Sequence, residues 1–590
     1  MHRIFVTMKH SSIPSAQSVV MHCKAKGIEN IVISPGSRNA PLTISFTEDS
    51  FFKCFSIVDE RSAAFFALGI AQQLRKPVAV VCTSGSALLN YYPAIAEAFY
   101  SDIPLVVISA DRPVYKIDVG DGQTIRQDDV FHRHIGYSAN LKQDVAHATD
   151  RVEKYAPELI SEVGVIATQQ KVQAYNDLEL NKAFNTTLST GLPVHINVPF
   201  EEPLYNVLNE PSVKPEISNG EVEQESVADM GLYKGLWGSA KRKIVLVGVN
   251  HPNAIEQRFL DILGNDPSVL VLTESTSNLH HPNFFPSIDS IVAPIEKSED
   301  SEELFKKLKP DILLTFGGLI VSKKIKAFLR HHQPQEHWHI DQLKAYNTFF
   351  SLTRHFKVDP NRFFAEFLED SKLAESEYFS YWKSMKGHYV EKREAYLGKI
   401  AFSDLLAFYH ICNHIPDDFH VQLANSSTVR YMQLFDMNPK VKVFCNRGTS
   451  GIDGSTSTAV GASVYHKEPT LLITGDLSFL YDSNGLWNDY IRSDFKIILI
   501  NNGGGGIFRI LPGREDSPNF ERYFETVQNR DVSHLCKMFG IEHFVVENKK
   551  SLEKILPEFF HKKTGPSLLE VNTPRILNDK ILLGYFDFIS

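Results

Sequence analysis

The stretch TLLITGDLS at residues 470–478 and the stretch KIILINNGGGG at residues 496–506 decide the fold. Each one opens with a short apolar run of strand length and closes with polar residues or glycine. Apolar runs of this length are typical of buried parallel strands, and ligands bind just beyond the carboxyl ends of such strands. The two stretches therefore predict strands whose ends together form a binding site.

The same alternation of apolar runs and amphipathic stretches extends over most of the 590 residues. Further runs of this kind lie at residues 31–33, 78–81, 105–108, 194–198, 243–247 and 441–444. Strands that alternate with helices form βαβ units and hence doubly wound parallel sheets. We predict an α/β protein of three such domains, because a chain of this length is too long for one hydrophobic core.

Two polar segments divide the chain. Residues 203–240 are broken by proline and glycine, which is typical of a linker. Residues 370–399 are rich in charge and are interpreted as a solvated connecting helix. The predicted domains are accordingly residues 1–200, residues 201–370 and residues 371–590.

Composition and charge exclude several classes of function. The net charge of −9 and the pI of about 6.2 would repel nucleic acid, so no nucleic-acid partner is expected. No apolar run reaches the roughly 18 residues that a membrane span needs. The six cysteines show no CxxC spacing, and the first residues lack the apolar core of a signal peptide. These features predict a cytoplasmic protein.

Asp476 and Asn502 end the two strands that decide the fold and lie 26 residues apart. Mg²⁺ prefers one or two hard oxygen ligands of this kind, together with phosphate and water. Glycines at 503–506 would let the backbone approach a diphosphate group closely. Either half alone favours a glycine-rich turn beside a helix-capping aspartate, but the pairing favours a metal and diphosphate site.

A third acidic residue, Glu60, lies in the stretch IVDERSAA at residues 57–64, where a strand end leads into a helix. A single glutamate at that place is most simply a helix cap or a surface charge. Arg38, Arg112 and Arg447 also follow apolar runs, in the stretches ISPGSRNAPL, SADRP and NRGTSGIDG. A surface salt bridge would explain any one of them, but several planar guanidinium groups together suit substrates with carboxylates.

These stretches resemble the thiamine-diphosphate enzyme family, in which Gly-Asp is followed by Asn-Asn at the spacing found here. The resemblance implies three doubly wound α/β domains and thiamine diphosphate bound with Mg²⁺ or Mn²⁺ through Asp476, Asn502 and the Gly504 carbonyl. It implies that Glu60 exchanges a proton with the aminopyrimidine ring of the cofactor. It also implies that Glu60 and the diphosphate site come from different subunits of a homodimer or homotetramer.

The arginine-bearing stretches are similar to one branch of that family, from about Ser15 to about Gly513. That branch joins 2-oxoglutarate to isochorismate on the route to menaquinone. The resemblance implies a transferase that decarboxylates 2-oxoglutarate and adds the succinyl unit to isochorismate. The alternative is an acetolactate-synthase-like enzyme or a 2-oxoacid decarboxylase that uses another acceptor.

The same resemblance implies roles for individual residues. The residues implied for the substrates are Ser37, Arg38, Arg112, Gln123, Lys323, Lys324, Ser426, Arg430, Arg447 and Phe508. The residues implied for the cofactor are Glu60, Ile452, Gly475, Asp476, Leu477, Ser478, Asn502, Gly504 and Ile507. Catalysis would rest on Glu60 with Arg38, Arg112, Gln123, Arg430 and Arg447. Ile452 would support the bent form of the cofactor, and Ile507 and Phe508 would line the substrate side.

Two of these residues depart from the usual pattern of the family. Leu477 stands where a third glycine is common, which leaves the metal ligand Asp476 in place. Lys324 stands where an arginine is common. A lysine keeps the positive charge but loses the bidentate fork of arginine, so this contact is expected to be the weakest of the set.

Two histidine pairs are assigned no site. His331 and His332 are adjacent, and neighbours on a regular element point to different sides. His410 and His414 could share one helix face, but no third metal ligand accompanies them. We expect His410 and His414 to be ordinary core or surface histidines.

Overall fold

The computed structural model describes residues 9–220, 230–369, 374–510, 517–562 and 564–590. These residues form two compact units. The first unit holds the described residues up to 220 together with Asp453–Lys467 and Asp482–Arg492, and the second unit holds the rest. The extreme N-terminal residues, on which the absence of a signal peptide was predicted, lie outside the described residues, as does Gly513.

The first unit is built on a parallel sheet of six strands in the order β3-β2-β4-β5-β7-β6. Its strands, with the short antiparallel pair β1 and β8, are β1 His10–Ser11, β2 Asn30–Ile33, β3 Lys53–Ser56, β4 Val78–Cys82, β5 Leu105–Asp111, β6 Tyr137–Asn140, β7 Val194–Pro199 and β8 Val207–Leu208. Its helices are α1 Pro14–Ala25, α2 Ala40–Glu48, α3 Glu60–Leu74, α4 Ser86–Asn90, α5 Tyr92–Ser101, α6 Thr149–Tyr155 and α7 Val165–Thr190.

The second unit contains two parallel sheets, of which the first along the chain has five strands in the order β10-β9-β11-β12-β13. Its strands are β9 Lys243–Val247, β10 Val269–Leu272, β11 Ile312–Phe316, β12 Glu336–Ile340 and β13 Arg354–Phe356. The helices of this part are α8 Met230–Ser239, α9 Gln257–Asn265, α10 Asp289–Lys297, α11 Ser301–Leu308, α12 Lys323–His331, α13 Pro360–Leu368 and α14 Tyr378–Leu397.

The other sheet of the second unit has six parallel strands in the order β15-β14-β16-β17-β19-β18. Its strands are β14 His420–Leu423, β15 Lys442–Cys445, β16 Thr470–Gly475, β17 Lys496–Asn501, β18 Glu542–Val546 and β19 Ser567–Asn572. The helices of the second unit in this part of the chain are α15 Asp404–His414, α16 Ser427–Met432, α18 Asp476–Tyr481, α19 Pro518–Phe520, α20 Ser533–Met538, α21 Lys549–His561 and α22 Asn578–Ile589, and α17 Ser455–Ser463 lies between α16 and α18 along the chain.

Three doubly wound parallel sheets are therefore present, as the alternation of apolar runs predicted. The strands form because their apolar runs are buried on both faces, as in β4 and β17. The domain boundaries near residues 200 and 370 stay a prediction. Among the described residues, no helix is both long enough and apolar enough to cross a membrane.

The helix α17 belongs to the first unit, where it packs against α3. A Cβ atom at Gly461 would lie 2.0 Å from the carbonyl oxygen of Phe66, and one at Gly69 would lie 2.1 Å from the carbonyl oxygen of Thr458. Only glycine at both positions lets the two backbones approach so closely. The packing fixes α3, and with it the residue at its start.

The charged stretch around α14 differs from its interpretation. The helix forms, but it is not simply solvated, because Tyr378, Trp382, Tyr389 and Leu397 are buried. Trp382 lies in the apolar cluster of the five-stranded sheet. These four residues lie four, seven and eight positions apart, which places them on one face of the helix. The run of charged residues drew the interpretation away from that face, so the buried part of the helix was underestimated.

Candidate active site

Glu60 is the first residue of α3 and follows β3 at the carboxyl edge of the sheet in the first unit. Asp59 caps the helix, because its Oδ1 accepts a hydrogen bond from the backbone N–H of Ser62 at 3.1 Å. Asn484 holds the other oxygen of Asp59 at 2.7 Å. Capping thus falls to Asp59, and the half-buried Glu60 is available for another role. Burial raises the pKa of Glu60, and the charge of Asp59 adds to this effect.

Arg38 and Arg112 follow β2 and β5 of the same sheet. They lie close enough that, after burial, the charge of Arg112 is a cause of the lowered pKa of Arg38. The Nε atoms of both guanidinium groups are buried and have no hydrogen-bond partner among the described residues. The structure therefore brings two of the predicted arginines together, each with donor capacity left over for an anion.

Arg38 has an internal partner that sequence reasoning missed. Its side chain is only 2% exposed, and it donates to the carbonyl of Phe200 at 3.0 Å and to the carboxylate of Glu202 at 2.8 Å. Arg151 contacts the same carboxylate at 3.0 Å. Glu202 follows β7, so an acidic residue after a predicted strand was the available signal. The carboxylate holds Arg38 in place and offsets part of its charge.

Ser37 and Gln123 lie near these arginines in the chain but are exposed. Gln123 has a left-handed φ of 56°, and its carbonyl accepts a hydrogen bond from the hydroxyl of Ser84 at 2.9 Å. Arg112 donates to the neighbouring carbonyl of Gly122 at 3.1 Å. The loop that carries Gln123 is thus attached to the ends of β4 and β5, and its side chain is free to face solvent.

In the second unit, Asp476 and Asn502 follow β16 and β17, which are adjacent strands. Asp476 is 2% exposed, and its Oδ2 accepts a hydrogen bond from Gln528 at 2.7 Å. Burial raises the pKa of Asp476 to about 6. The backbone N–H of Gly504 bonds to the same carboxylate, so the structure joins Asp476 to the glycine run. A cation at this carboxylate would favour its ionised form.

The glycine run after β17 has a backbone that only glycine adopts readily. Gly504 has a φ of 146°, and a Cβ atom there would lie 2.8 Å from the carbonyl oxygen of Glu525. The same carbonyl accepts the N–H of Gly505 at 2.6 Å. The carboxylate of Glu525 is fully buried and binds Arg509 at 2.5 Å and Arg575 at 2.6 Å. The run is therefore a cradle without side chains, held from behind by a buried ion-pair network.

The carboxylate of Asp476, the amide of Asn502 and the glycine cradle fit a divalent cation and a diphosphate. Hard oxygen donors suit Mg²⁺ or Mn²⁺, and the absence of side chains leaves room for phosphate oxygens. The carbonyl of Gly504, the third predicted ligand, accepts a hydrogen bond from the N–H of Gly506 at 2.9 Å and has a second lone pair.

Arg430 and Arg447 form a second arginine pair in the second unit. Arg447 is 8% exposed and donates to the side-chain oxygen of Asn425 at 2.5 Å, and its buried Nε has no partner among the described residues. Burial and the charge of Arg447 lower the pKa of Arg430. Arg430 donates to the carbonyl of Ser426 at 2.7 Å. Ser426 has a left-handed φ of 68°, which turns the chain sharply between β14 and α16.

Lys323 and Lys324 are the first two residues of α12. The buried carboxylate of Glu274 accepts the backbone N–H groups of Val321 and Ser322 at 2.8 Å and 2.7 Å and so fixes the start of the helix. Burial raises the pKa of Glu274 to about 7. Lys323 is exposed, whereas Lys324 forms an ion pair with Glu296. The charge of Lys324 is therefore already balanced within the protein.

The remaining predicted cofactor residues lie near Asp476. Ser478 donates through its hydroxyl to the carbonyl of Ile452 at 3.0 Å, which ties the residue after Gly451 to α18. Leu477 donates its backbone N–H to Asp476 at 2.8 Å, so the side chain that replaces a glycine leaves the ligand undisturbed. Ile507 is half-buried, and Phe508 is 36% exposed with its ring 6.4 Å from that of Phe524.

The expectation that His331 and His332 cannot face one place is wrong. His332 is the residue that caps α12, with φ of −105° and ψ of 66°, so it has left the regular helix. One ring nitrogen of each histidine and a carboxylate oxygen of Glu302 lie within 4.8 Å of one another. The three side chains meet at the surface, where Glu302 and His331 are exposed.

Comparison with known proteins places these residues in a family. Residues 15–133 match the thiamine pyrophosphate enzyme N-terminal TPP binding domain, and residues 425–571 match the C-terminal TPP binding domain. A 2-succinyl-5-enolpyruvyl-6-hydroxy-3-cyclohexene-1-carboxylate synthase of Christiangramia forsetii is 54% identical over 99% of this chain and 100% of its own length. The chain belongs to this synthase family.

Other members of the synthase family show the same coverage. The synthase of Flavobacterium johnsoniae is 52% identical over 98% of this chain and 99% of its own, and that of Porphyromonas gingivalis is 38% identical over 96% and 95%. These matches confirm the predicted fold class, the thiamine-diphosphate cofactor and the family resemblance. The individual site residues stay predictions, which are supported by their positions at the strand ends and by their hydrogen bonds and burial.

Proposed function

We propose that this chain catalyses the thiamine-diphosphate-dependent decarboxylation of 2-oxoglutarate and the addition of the succinyl unit to isochorismate. The products are 2-succinyl-5-enolpyruvyl-6-hydroxy-3-cyclohexene-1-carboxylate and CO₂, in the biosynthesis of menaquinone. The observation that carries the proposal is the presence of two close arginine pairs, Arg38 with Arg112 and Arg430 with Arg447, in a member of this synthase family. Both substrates are polycarboxylates, which such pairs bind well.

The cofactor, when bound, supplies the electron sink that makes loss of CO₂ and bond formation to the acceptor feasible. Asp476, Asn502 and the carbonyl of Gly504 would hold its metal ion, and the glycine cradle would accept its diphosphate. Glu60 would hold and exchange the proton at the aminopyrimidine ring. Its raised pKa suits this role, because a general acid and base works best when its pKa approaches the working pH.

The arginine pairs would orient the two anionic substrates. Each pair includes a strongly buried guanidinium, Arg38 at 2% and Arg447 at 8% exposure, so its interaction with a carboxylate is screened little by water. Fixed donors of this kind stabilise negative charge without reorganisation during the reaction. Ser37, Gln123, Ser426, Lys323 and Phe508 would complete the substrate contacts.

We further propose that the enzyme acts in the cytoplasm as a homodimer or homotetramer with active sites between subunits. In this arrangement, Glu60 of one chain serves the cofactor that Asp476 of another chain binds. The six cysteines support a reducing compartment, because none of them, all within the described part of the chain, forms a disulfide.

The decisive test is an assay of donor and acceptor. The purified protein is incubated with thiamine diphosphate, Mg²⁺, 2-oxoglutarate and isochorismate, and CO₂ and the coupled product are measured. The proposal expects both in equal amounts, and neither when isochorismate is replaced by pyruvate. Turnover with pyruvate alone, without turnover of 2-oxoglutarate and isochorismate, would instead identify acetolactate-synthase-like or decarboxylase chemistry.

A further inference from the structure

Asn502 is held at one end of its amide group by a buried acid. Its Nδ2 donates a hydrogen bond to Oδ2 of Asp404 at 2.9 Å. Because the carboxyl oxygen of Asp404 accepts this hydrogen bond, the nitrogen end of the Asn502 amide faces the acid. The oxygen Oδ1 of Asn502 must then lie at the opposite end, directed away from Asp404. A metal ligand needs that oxygen, and an unrestrained amide could present either end.

The neighbouring hydrogen bonds run in the same direction. Thr573 donates its hydroxyl proton to Oδ1 of Asp404 at 2.5 Å, and Asn578 donates through Nδ2 to the Thr573 oxygen at 3.3 Å. Asp404 in turn donates its backbone N–H to the side-chain oxygen of Asn578 at 2.8 Å. The donors from Asn502 and Thr573 both point at the carboxylate. This network has one consistent polarity, which fixes the orientation of the Asn502 amide.

Asp404 lies where a carboxyl group lowers the stability of the folded protein. The residue is 2% exposed, and no lysine or arginine of the described residues forms an ion pair with it. Burial of an unpaired charge opposes folding, and the hydrogen bonds offset this only in part. Three separate segments contribute to the network, since Asp404 opens α15, Thr573 follows β19 and Asn578 opens α22. Such an arrangement is expected where the acid serves something other than packing.

We propose that Asp404 is a positioning residue that turns the amide of Asn502 so that Oδ1 faces the metal ion of the cofactor. This inference rests on the proposed function, because it assumes that Asn502 is a metal ligand. Asp404 does not touch the metal. It acts through Asn502, as residues behind a metal ligand commonly do when they fix its orientation.

The preceding residue provides a matched comparison. Asn501 also gives its amide nitrogen to a carboxylate, that of Glu570, at 2.6 Å. Glu570 is buried to a similar degree, with 7% exposure, and also lies in the second unit. Asn501 is the last residue of β17 and is not a predicted ligand. The oxygen Oδ1 of Asn501 accepts only long hydrogen bonds, from the N–H of Gly503 and from Gln528, at 3.3 Å each. Loss of the acid behind Asn501 should therefore affect the fold much as loss of Asp404 does, and the metal site less directly.

The test measures binding of Mn²⁺ in the presence of thiamine diphosphate, by electron paramagnetic resonance of the free ion. We expect Asp404→Ala to weaken Mn²⁺ binding roughly 10- to 100-fold, the usual effect of losing a group behind a metal ligand. The control Glu570→Ala should weaken Mn²⁺ binding clearly less, because Asn501 is not a predicted metal ligand. Thermal unfolding without cofactor reports whether the two variants are destabilised alike.

A second pair of variants keeps the test decisive if Asp404→Ala does not fold. Asn502→Asp places two carboxylates against each other and should weaken Mn²⁺ binding. Adding Asp404→Asn provides a hydrogen-bond donor opposite the new carboxylate and returns the total charge to that of the wild type. The double variant should therefore recover most of the Mn²⁺ affinity. Equal Mn²⁺ affinity in Asp404→Ala and the wild type, or no recovery in the double variant, would overturn the positioning role. Failure of the wild type itself to bind Mn²⁺ with thiamine diphosphate would instead contradict the proposed function.

Discussion

The six-stranded sheet of the first unit and the six-stranded sheet of the second unit have the same strand order but carry different chemistry. Numbered along the chain within each sheet, both follow the order 2-1-3-4-6-5. After the second strand, the first sheet presents the acid Glu60, whereas the other presents Arg447. After the fourth strand, the first presents Arg112 and the other presents Asn502 and its glycines.

The shared strand order determines where a side chain can act, and the residues that follow each strand determine the chemistry at that place. The acid of the first sheet sits on a long, closely packed helix, α3. The acid of the other sheet, Asp476, sits beside a glycine cradle that has no side chains to exclude a diphosphate. We infer a division of labour in which one sheet provides the proton-exchanging group and the other holds the diphosphate and metal.

The largest effect is expected from removal of the acid of the first sheet. Glu60→Gln should lower kcat by roughly 10²- to 10⁴-fold, because a positioned general acid and base contributes about that much. Binding of thiamine diphosphate should be retained, since the predicted diphosphate contacts lie on the other sheet. Release of CO₂ and cofactor binding measured on the same preparation check both points. The control is Asp59→Asn, which removes the same charge one residue earlier and keeps the helix cap. If Asp59→Asn lowered kcat as much as Glu60→Gln does, the role of Glu60 would be contradicted.

A smaller effect is expected at the topologically equivalent place of the other sheet. Arg447→Lys removes the bidentate fork from a buried site and should cost about 1.5–3 kcal/mol, or on the order of 10- to 100-fold in kcat/KM. Steady-state kinetics with each substrate varied in turn check this. The exposed Arg354→Lys provides a control on a lysine substitution far from the site in the chain. Unchanged kcat/KM for both substrates in Arg447→Lys would show that the arginine is not a substrate contact.

The cradle is expected to tolerate no side chain. Gly504→Ala would force alanine to a φ of 146° and into contact with the Glu525 carbonyl. Strain of this kind costs about 1–3 kcal/mol, and we expect it to appear as a weaker Kd for thiamine diphosphate. Gly565→Ala, where an added Cβ atom would meet nothing within 4 Å, should bind as the wild type does. Calorimetric titration of both variants measures the difference, and equal affinities would mean that the cradle does not bind the diphosphate.

The smallest effect is expected at Lys324, where sequence reasoning predicted the weakest contact. Lys324→Arg would introduce the arginine that is usual in the family. The ion pair with Glu296 already engages the positive charge, and an exposed ion pair of this kind is worth only about 1 kcal/mol or less. We therefore expect KM for either substrate to change less than about fivefold. A larger decrease in KM would show that a bidentate guanidinium at this position binds the substrate directly.

The sequence predicts the parts of this molecule that are encoded locally. Apolar runs mark eight of the strands, with at least one in each of the three sheets. Asp476 and Asn502 stand directly after such runs, so their position in the sheet follows from their position in the chain. The arginines at strand ends are visible for the same reason. Burial and pairing of these groups depend on the assembled fold and are not encoded in any local pattern.

The groups that support the site could not be predicted. Asp404 reaches Asn502 across 98 residues, Gln528 reaches Asp476 across 52, and Glu202 reaches Arg38 across 164. None of them belongs to a motif that sets its partner. For these three groups the deciding contact comes from tertiary packing. The buried face of α14 is different, because Tyr378, Trp382, Tyr389 and Leu397 recur at helical intervals and the charged residues around them led to the interpretation as a solvated helix.

The division of labour between the two sheets is tested most directly by mixing two inactive variants. Glu60→Gln supplies an intact metal site, and Asp476→Asn supplies an intact Glu60. If the two functions meet across subunits, each hybrid dimer contains one site with both groups intact. Random pairing of co-expressed chains should then restore about a quarter of the wild-type activity per chain, since roughly half of the dimers are hybrids. Activity no higher than that of either variant alone would contradict the account, because it would place both groups of one active site on the same chain.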